Sequence, residues 1–178
     1  MTAKKWYRKF VAEYSKDKKL QRLEAKLYRT KSYPGEEKEW TEAMRGFLVK
    51  MGKSMEYEVE DESRVVGGKR ADQRWLKGNG SAVAIEHENV NNENLMGEIN
   101  KLCNDVSLLK ILITYVSDQT FEQNVRKVRQ RVKDAIDSHI DTFTGEFLLV
   151  VSGWYTQPRS SSWKAYKSVL SSSLEPLK

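Results

Sequence analysis

The sequence predicts an α/β fold in which a central mixed sheet is flanked by helices. Three observations carry that reading. Apolar residues recur with helical spacing up to about residue 50, then alternate with polar ones up to about residue 89. Turn signals fall between these periodic segments rather than inside them. Leu108 to Val116 is a continuous apolar run broken only by Lys110, as in strands covered on both faces.

Residues 4–29 read as one long helix or two joined ones. Trp6, Phe10 and Tyr14 recur every fourth residue, and Leu20, Leu23 and Leu27 continue the stripe after a polar break at 15–19. Ser32-Tyr33-Pro34-Gly35 is a breaker. The next helix covers about 36–50 and turns Trp40, Ala43, Met44, Phe47 and Leu48 to one side. Glu36, Glu37 and Glu39 in its first turn complement the helix dipole, and Gly52 offers a stop. Met55, Tyr57 and Val59 then alternate with Glu56, Glu58 and Glu60, which marks a first strand. Gly67-Gly68 leads into a second strand at about 69–76, and Lys77-Gly78-Asn79-Gly80 into a third at about 82–89. The three form a meander.

Asn91, Asn92 and Glu93 open a helix that reaches about Asn104, with Leu95, Ile99 and Leu102 on its apolar face. Phe121, Val125, Val128, Val132 and Ile136 mark another over 119–138. Residues 146–154 give a last strand, 152–162 contain a loop, and 164–170 suggest a short closing helix. With no internal repeat or linker, residues 1–178 read as one domain.

At 31% charged and 39% hydrophobic, the chain has the composition of a soluble globular protein. No apolar run approaches the roughly 20 residues of a membrane span, and Met1 to Trp6 lacks a signal-peptide stretch. Cys103 is the only cysteine, which excludes an internal disulfide and a thiolate metal cluster and fits a cytoplasmic setting. Of the net charge of +6, residues 1–50 carry +7, from fourteen Lys and Arg against seven Asp and Glu. The other 128 residues carry −1, from seventeen against eighteen. The basic excess therefore belongs to the N-terminal helices. It suits a polyanion, with Lys4, Lys5, Arg8 and Lys9 as contacts alongside Arg70 and Arg74, although a solvated helix surface would look the same.

The chemistry-bearing pattern is Asp72, thirteen intervening residues, then Glu86-His87-Glu88. Glu86 and Glu88 project from the same face of a strand. A loop of Gly78 to Gly80 pairs Lys77 with Ser81 and sets Asp72 opposite Glu86. Three carboxylates on one patch are costly unless a cation joins them, and hard oxygen ligands select magnesium, manganese or calcium. The bland alternative is a polar sheet face with Arg70, Arg74 and Lys101 pairing the acids. His87 points to the opposite face, where a satisfied, partly buried imidazole is expected. Cys103 reads as a core thiol. Trp154, Tyr155, Trp163 and Tyr166 interleave with Arg159 and Lys164, which suits either base stacking or core packing, and the basic run at 126–133 either contacts phosphate or is simply solvated.

These residues resemble the PD-(D/E)xK superfamily, the restriction-endonuclease-like nucleases, over roughly residues 36–116. That family's core is a helix, a three-strand meander, a helix and a strand. Its motif is an acid on the second strand and Glu-x-Lys on the third. Asp72 and Glu86 match the acids, and Glu88 stands where lysine is usual, a Glu-x-Glu version that some type II restriction enzymes share. Ala71 replaces the motif's proline. The resemblance implies a nuclease-like core between a basic helical extension (1–35) and a C-terminal helix, strand and tail (117–178). It implies Mg2+ or Mn2+ held by Asp72, Glu86 and the His87 backbone carbonyl, with Glu88 acting on the attacking water. It implies an acid on the first core helix, Glu42 or else Glu39, and Lys101 on the following helix could supply the missing positive charge. Phosphodiester hydrolysis of DNA is the implied activity, and a homodimer the implied assembly. A catalytically inactive nucleic-acid-binding or assembly protein on the same fold is the alternative.

Overall fold

The computed structural model describes residues 1–30, 36–61, 71–89, 95–117, 120–154, 163–169 and 174–177. The expected Gly67-Gly68 turn, the opening at Asn91 to Glu93, and Tyr155, Arg159 and Arg70 lie outside them. As expected, the fold is α/β with a mixed sheet covered by helices.

The N-terminal apolar stripe forms two helices, α1 (Ala3–Tyr14) and α2 (Lys18–Thr30). The break falls where Asp17 Oδ1 accepts from the backbone N–H groups of Lys19 and Leu20, both at 3.0 Å. Helix α3 covers Glu36–Ser54, so Gly52 is not its stop. The helix ends at Glu56, which takes a left-handed φ of 62°. Glu56 N–H donates to Lys53 O and Tyr57 N–H to Gly52 O, the paired bonds of a Schellman ending with glutamate in the usual glycine position. Gly52 serves packing instead. A Cβ there would sit 2.7 Å from Val59 Cγ2 and 2.8 Å from Trp75 Cε2. Gly52→Ala is therefore expected to destabilise the fold by about 1–3 kcal/mol despite alanine's better helix propensity. A urea midpoint equal to or above wild type would contradict this close approach.

Seven strands follow one another in the sheet in chain order: β1 (Glu58–Asp61), β2 (Gln73–Lys77), β3 (Gly80–Asn89), β4 (Leu109–Ser117), β5 (Glu146–Trp154), β6 (Lys164–Val169) and β7 (Glu175–Pro176). Strands β3, β4 and β5 are parallel, and the remaining pairs are antiparallel. Helices α4 (Leu95–Asn104) and α5 (Phe121–Ser138) make the two crossovers between the parallel strands.

Helices α1 to α3 cover one face, where Trp6, Phe10, Met44, Phe47, Trp75, Ile85, Ile111 and Ile113 share a core. Helices α4 and α5 cover the other, with Ala84, Leu112, Leu149, Ile99, Val128 and Val132. The alternation of β3 thus sends odd residues to the α1–α3 layer and even ones to the α4–α5 layer.

Two expectations change at the C-terminus. The segment beginning at Lys164 is strand β6, not a helix, because it pairs along β5 from Glu146↔Val169 to Val151↔Lys164. Trp163 is core rather than a base-stacking platform: its ring lies 5.1 Å from that of Phe10 and 5.6 Å from that of Tyr115. Cys103 is buried, and burial pushes its thiol up to about 11.

Candidate active site

The site begins with a register. Gly78 has a φ of 61°, and Lys77 pairs with Gly80, so the connection is a two-residue Gly78-Asn79 turn rather than the expected Gly78–Gly80 loop. An irregularity between Trp75 and Leu76 then shifts the register, giving Trp75↔Val83, Arg74↔Ala84 and Gln73↔Ile85. The next step along that ladder brings Asp72 to Glu86. The turn and the irregularity cancel, so the expected juxtaposition holds where the acids are.

Asp72 stands just before β2, and its Oδ2 accepts from the His87 backbone N–H at 3.1 Å. The Asp72 and Glu86 carboxyls are close enough that the Asp72 charge bears on Glu86. Glu86 is 1% exposed, and its Oε1 has no hydrogen-bond partner. Lys101 Nζ on α4 lies 3.9 Å from that oxygen and 2.6 Å from Glu98 Oε2.

The electrostatics follow from this crowding. Burial raises the Asp72 pKa, against the opposing effects of the His87 N–H and the Arg45 charge. Burial raises Glu86 strongly, and the Asp72 and Glu98 charges raise it further, while Lys101 acts the other way. For Lys101 itself burial works downward, but the Glu98 hydrogen bond and the charges of Glu86, Glu98 and Asp72 hold it above its usual value.

Glu98 is the acid that sequence reading missed. Its charge bears on both Asp72 and Glu86. The available signal was its position three residues before Lys101, which places both side chains on one helix face. Glu88 shares the Glu86 face one pleat further on, half-buried, with Thr114 as its neighbour across β4.

The first core helix contributes a cation instead of an acid. Helix α3 packs on the sheet face opposite to Glu86, and Glu42 and Glu39 are exposed on it. Glu39 lies 3.5 Å from Lys26. Arg45 is the α3 residue whose charge reaches Asp72. It is held by Asp61 at 2.5 Å, and its carbonyl accepts from Gln73 Nε2 at 3.0 Å. His87 faces this layer, as expected, with Nε2 and the Tyr115 hydroxyl 2.8 Å apart.

No family model, curated protein or solved structure matches this chain.

The remaining basic residues are dispersed. Arg74 lies 3.2 Å from Asp105, and Lys9 lies 3.0 Å from Glu13. Lys4, Lys5 and Arg8 are exposed on α1, whose first N–H donates to Glu146 Oε2. Glu146 pairs with Leu109 at the start of the parallel strands, whereas Glu86 pairs with Leu112. Lys4, Lys5 and Arg8 thus sit on the sheet face opposite to Glu86, toward the start of the parallel strands.

Among the described residues, no three His, Cys, Asp or Glu side chains converge as a metal-holding group. Also among them, no helix is long and apolar enough to cross a membrane.

Proposed function

We propose that this chain is a metal-dependent nuclease hydrolysing phosphodiester bonds in DNA, on a variant PD-(D/E)xK core. The observation that carries the reading is the Asp72–Glu86 pair. These are two carboxyls brought together by neighbouring strands, one of them buried with an oxygen that lacks a hydrogen bond. A buried carboxyl oxygen without a partner is costly, and a hard divalent cation is a natural partner for it.

Asp72 and Glu86 would hold Mg2+ or Mn2+, together with the His87 carbonyl, which leaves the strand on the same edge as the N–H that binds Asp72. Such an ion supplies a water of lowered pKa and positive charge for the phosphoryl oxygens. The chain's own residues do the rest. Lys101 brings an ammonium group to the face where the family's lysine is missing, and Glu98 holds it there. Glu88, on the same face, orients the attacking water or takes its proton. Arg45 keeps positive charge beside Asp72.

Glutamate in the lysine position favours a second reading, an inactive nucleic-acid-binding protein. One assay separates the two. Supercoiled and linear DNA are incubated with the protein in Mg2+, Mn2+ or EDTA, beside Asp72→Ala and Glu86→Ala. Cutting with either metal, absent in EDTA and in both variants, is the expected result. Binding without cutting, indifferent to both substitutions, would establish the second reading instead.

A further inference from the structure

We infer that the solvent face of α5, formed by Arg126, Lys127 and Arg131, is the track on which a nucleic-acid strand reaches the Asp72–Glu86 pair. This deepens the nuclease reading and rests on it.

Placement is the first support. Val125, Val128 and Val132 pack α5 into the same layer as Ala84 of β3 and Ile99 of α4. The α5 helix therefore covers the sheet face from which Glu86 projects. Because α4 and α5 each follow a parallel strand and run back along it, both begin at the end of the sheet where those strands finish. Glu86 lies midway along the parallel pairing of β3 with β4, and Glu98, one turn into α4, reaches it from that end. Arg126 and Lys127 lie in the second turn of α5, counted from the same end, and Arg131 about 7.5 Å further along the axis.

Availability is the second. Arg126, Lys127 and Arg131 are all exposed, and Arg126 is close enough to Glu122 for its charge to lower that acid's pKa. Other α5 charges are already engaged. Lys133 lies 2.7 Å from Asp137, Glu122 pairs with Lys164, and Arg129 turns inward to the Leu174 carbonyl, 4.7 Å over the Tyr166 ring.

Charge order is the third. A helix is stabilised by acids near its start and bases near its end. Here Arg126 and Lys127 come early, while Asp134 and Asp137 come late, and the last turn has no basic residue. Pairs four residues apart, Glu122 with Arg126 and Lys133 with Asp137, account for part of this order, and a phosphate backbone crossing the first half of α5 fits the remaining early cations, Lys127 and Arg131. The α1 cations Lys4, Lys5 and Arg8 do not compete for this role, because they sit on the other face of the sheet.

The test compares wild type with two triple variants, Arg126→Ala/Lys127→Ala/Arg131→Ala and Lys4→Ala/Lys5→Ala/Arg8→Ala. Binding of a labelled DNA duplex and of its single strand is followed by fluorescence anisotropy in EDTA over a range of salt. Circular dichroism checks folding. The α5 variant is expected to bind roughly tenfold or more weakly, and its log–log salt slope should fall by about two to three, while the α1 variant stays near wild type.

An α5 variant that binds like wild type overturns the inference; if wild type still cuts DNA, the nuclease reading stands without it. Wild type that never cuts, yet loses binding in the α5 variant, defeats the nuclease reading and leaves the track in place. Wild type that ignores both oligonucleotides but binds phosphatidylserine vesicles through the same three residues overturns the inference in favour of a membrane surface.

Discussion

Glu86→Gln is expected to lower metal-dependent DNA cleavage by about three orders of magnitude while making the metal-free protein more tolerant of rising pH. The amide keeps the shape of the side chain but gives up half of its carboxylate donors. The stability effect has a definite sign. Burial raises the Glu86 pKa in the fold, and the Asp72 and Glu98 charges raise it further. A carboxyl raised in this way contributes stability that is complete below its unfolded value and is lost as pH rises toward its folded value. Glutamine does not titrate. The stability of Glu86→Gln relative to wild type should therefore increase from about pH 5 to pH 8, by on the order of 1–3 kcal/mol. Urea unfolding in EDTA at several pH values measures it, and a difference that stays flat with pH would rule out the crowded carboxyl pair. Activity and stability moving in opposite directions is what a functional site, rather than a structural one, should give.

The second large effect concerns the other face of the same strand. Burial lowers the His87 pKa to about 4, and the Arg45 charge adds to that. The fold therefore keeps a neutral imidazole against the Tyr115 hydroxyl. As pH falls below about 6.5 the unfolded chain takes up a proton that the folded chain refuses. Stability present above that pH is lost progressively toward pH 4, by roughly 3 kcal/mol in all at 1.36 kcal/mol per unit. Glu86 pulls the other way over part of this window, so the comparison is made against His87→Gln, in which the Glu86 contribution is unchanged. Wild type should lose about 2 kcal/mol more than the variant between pH 7.5 and pH 5. A constant difference across that range would mean that His87 titrates normally in the fold.

Much of the site was legible because a strand has a period of two. Given Glu86-His87-Glu88, the two acids must share a face and the histidine must take the other. The turn was read one residue too long, yet the irregularity at Trp75–Leu76 restored the Asp72–Glu86 register. That agreement came from two local deviations that cancel. Neither Gly52 nor residues 164–170 behaved as local signals suggest. Gly52 was taken up by the close approach of Trp75 and Val59, and the Lys164 segment by the free edge of β5. In both cases tertiary contact outweighed weak intrinsic preference.

Glu98 was illegible for a different reason. Nothing in a helical pattern says which neighbouring strand residue will lie under a given turn, and α4 acquires its position only by packing on β3 and β4. The same holds for the choice between the two basic regions. Composition located the larger cation excess at residues 1–50 but carried no information about which face or which end of the sheet it would occupy.

By itself, then, the sequence determined the alternation of elements, the meander, and the shared face of Glu86 and Glu88, because these follow from backbone periodicity and turn chemistry between neighbours in the chain. Only the tertiary structure decided that Glu98 and Lys101 join Asp72 and Glu86, that Arg45 replaces Glu42 as the α3 contribution, and that α5 rather than α1 shares the acids' side of the sheet. Those outcomes depend on how helices seat on a seven-stranded sheet. That seating is set by the burial of whole apolar faces across residues far apart in the chain.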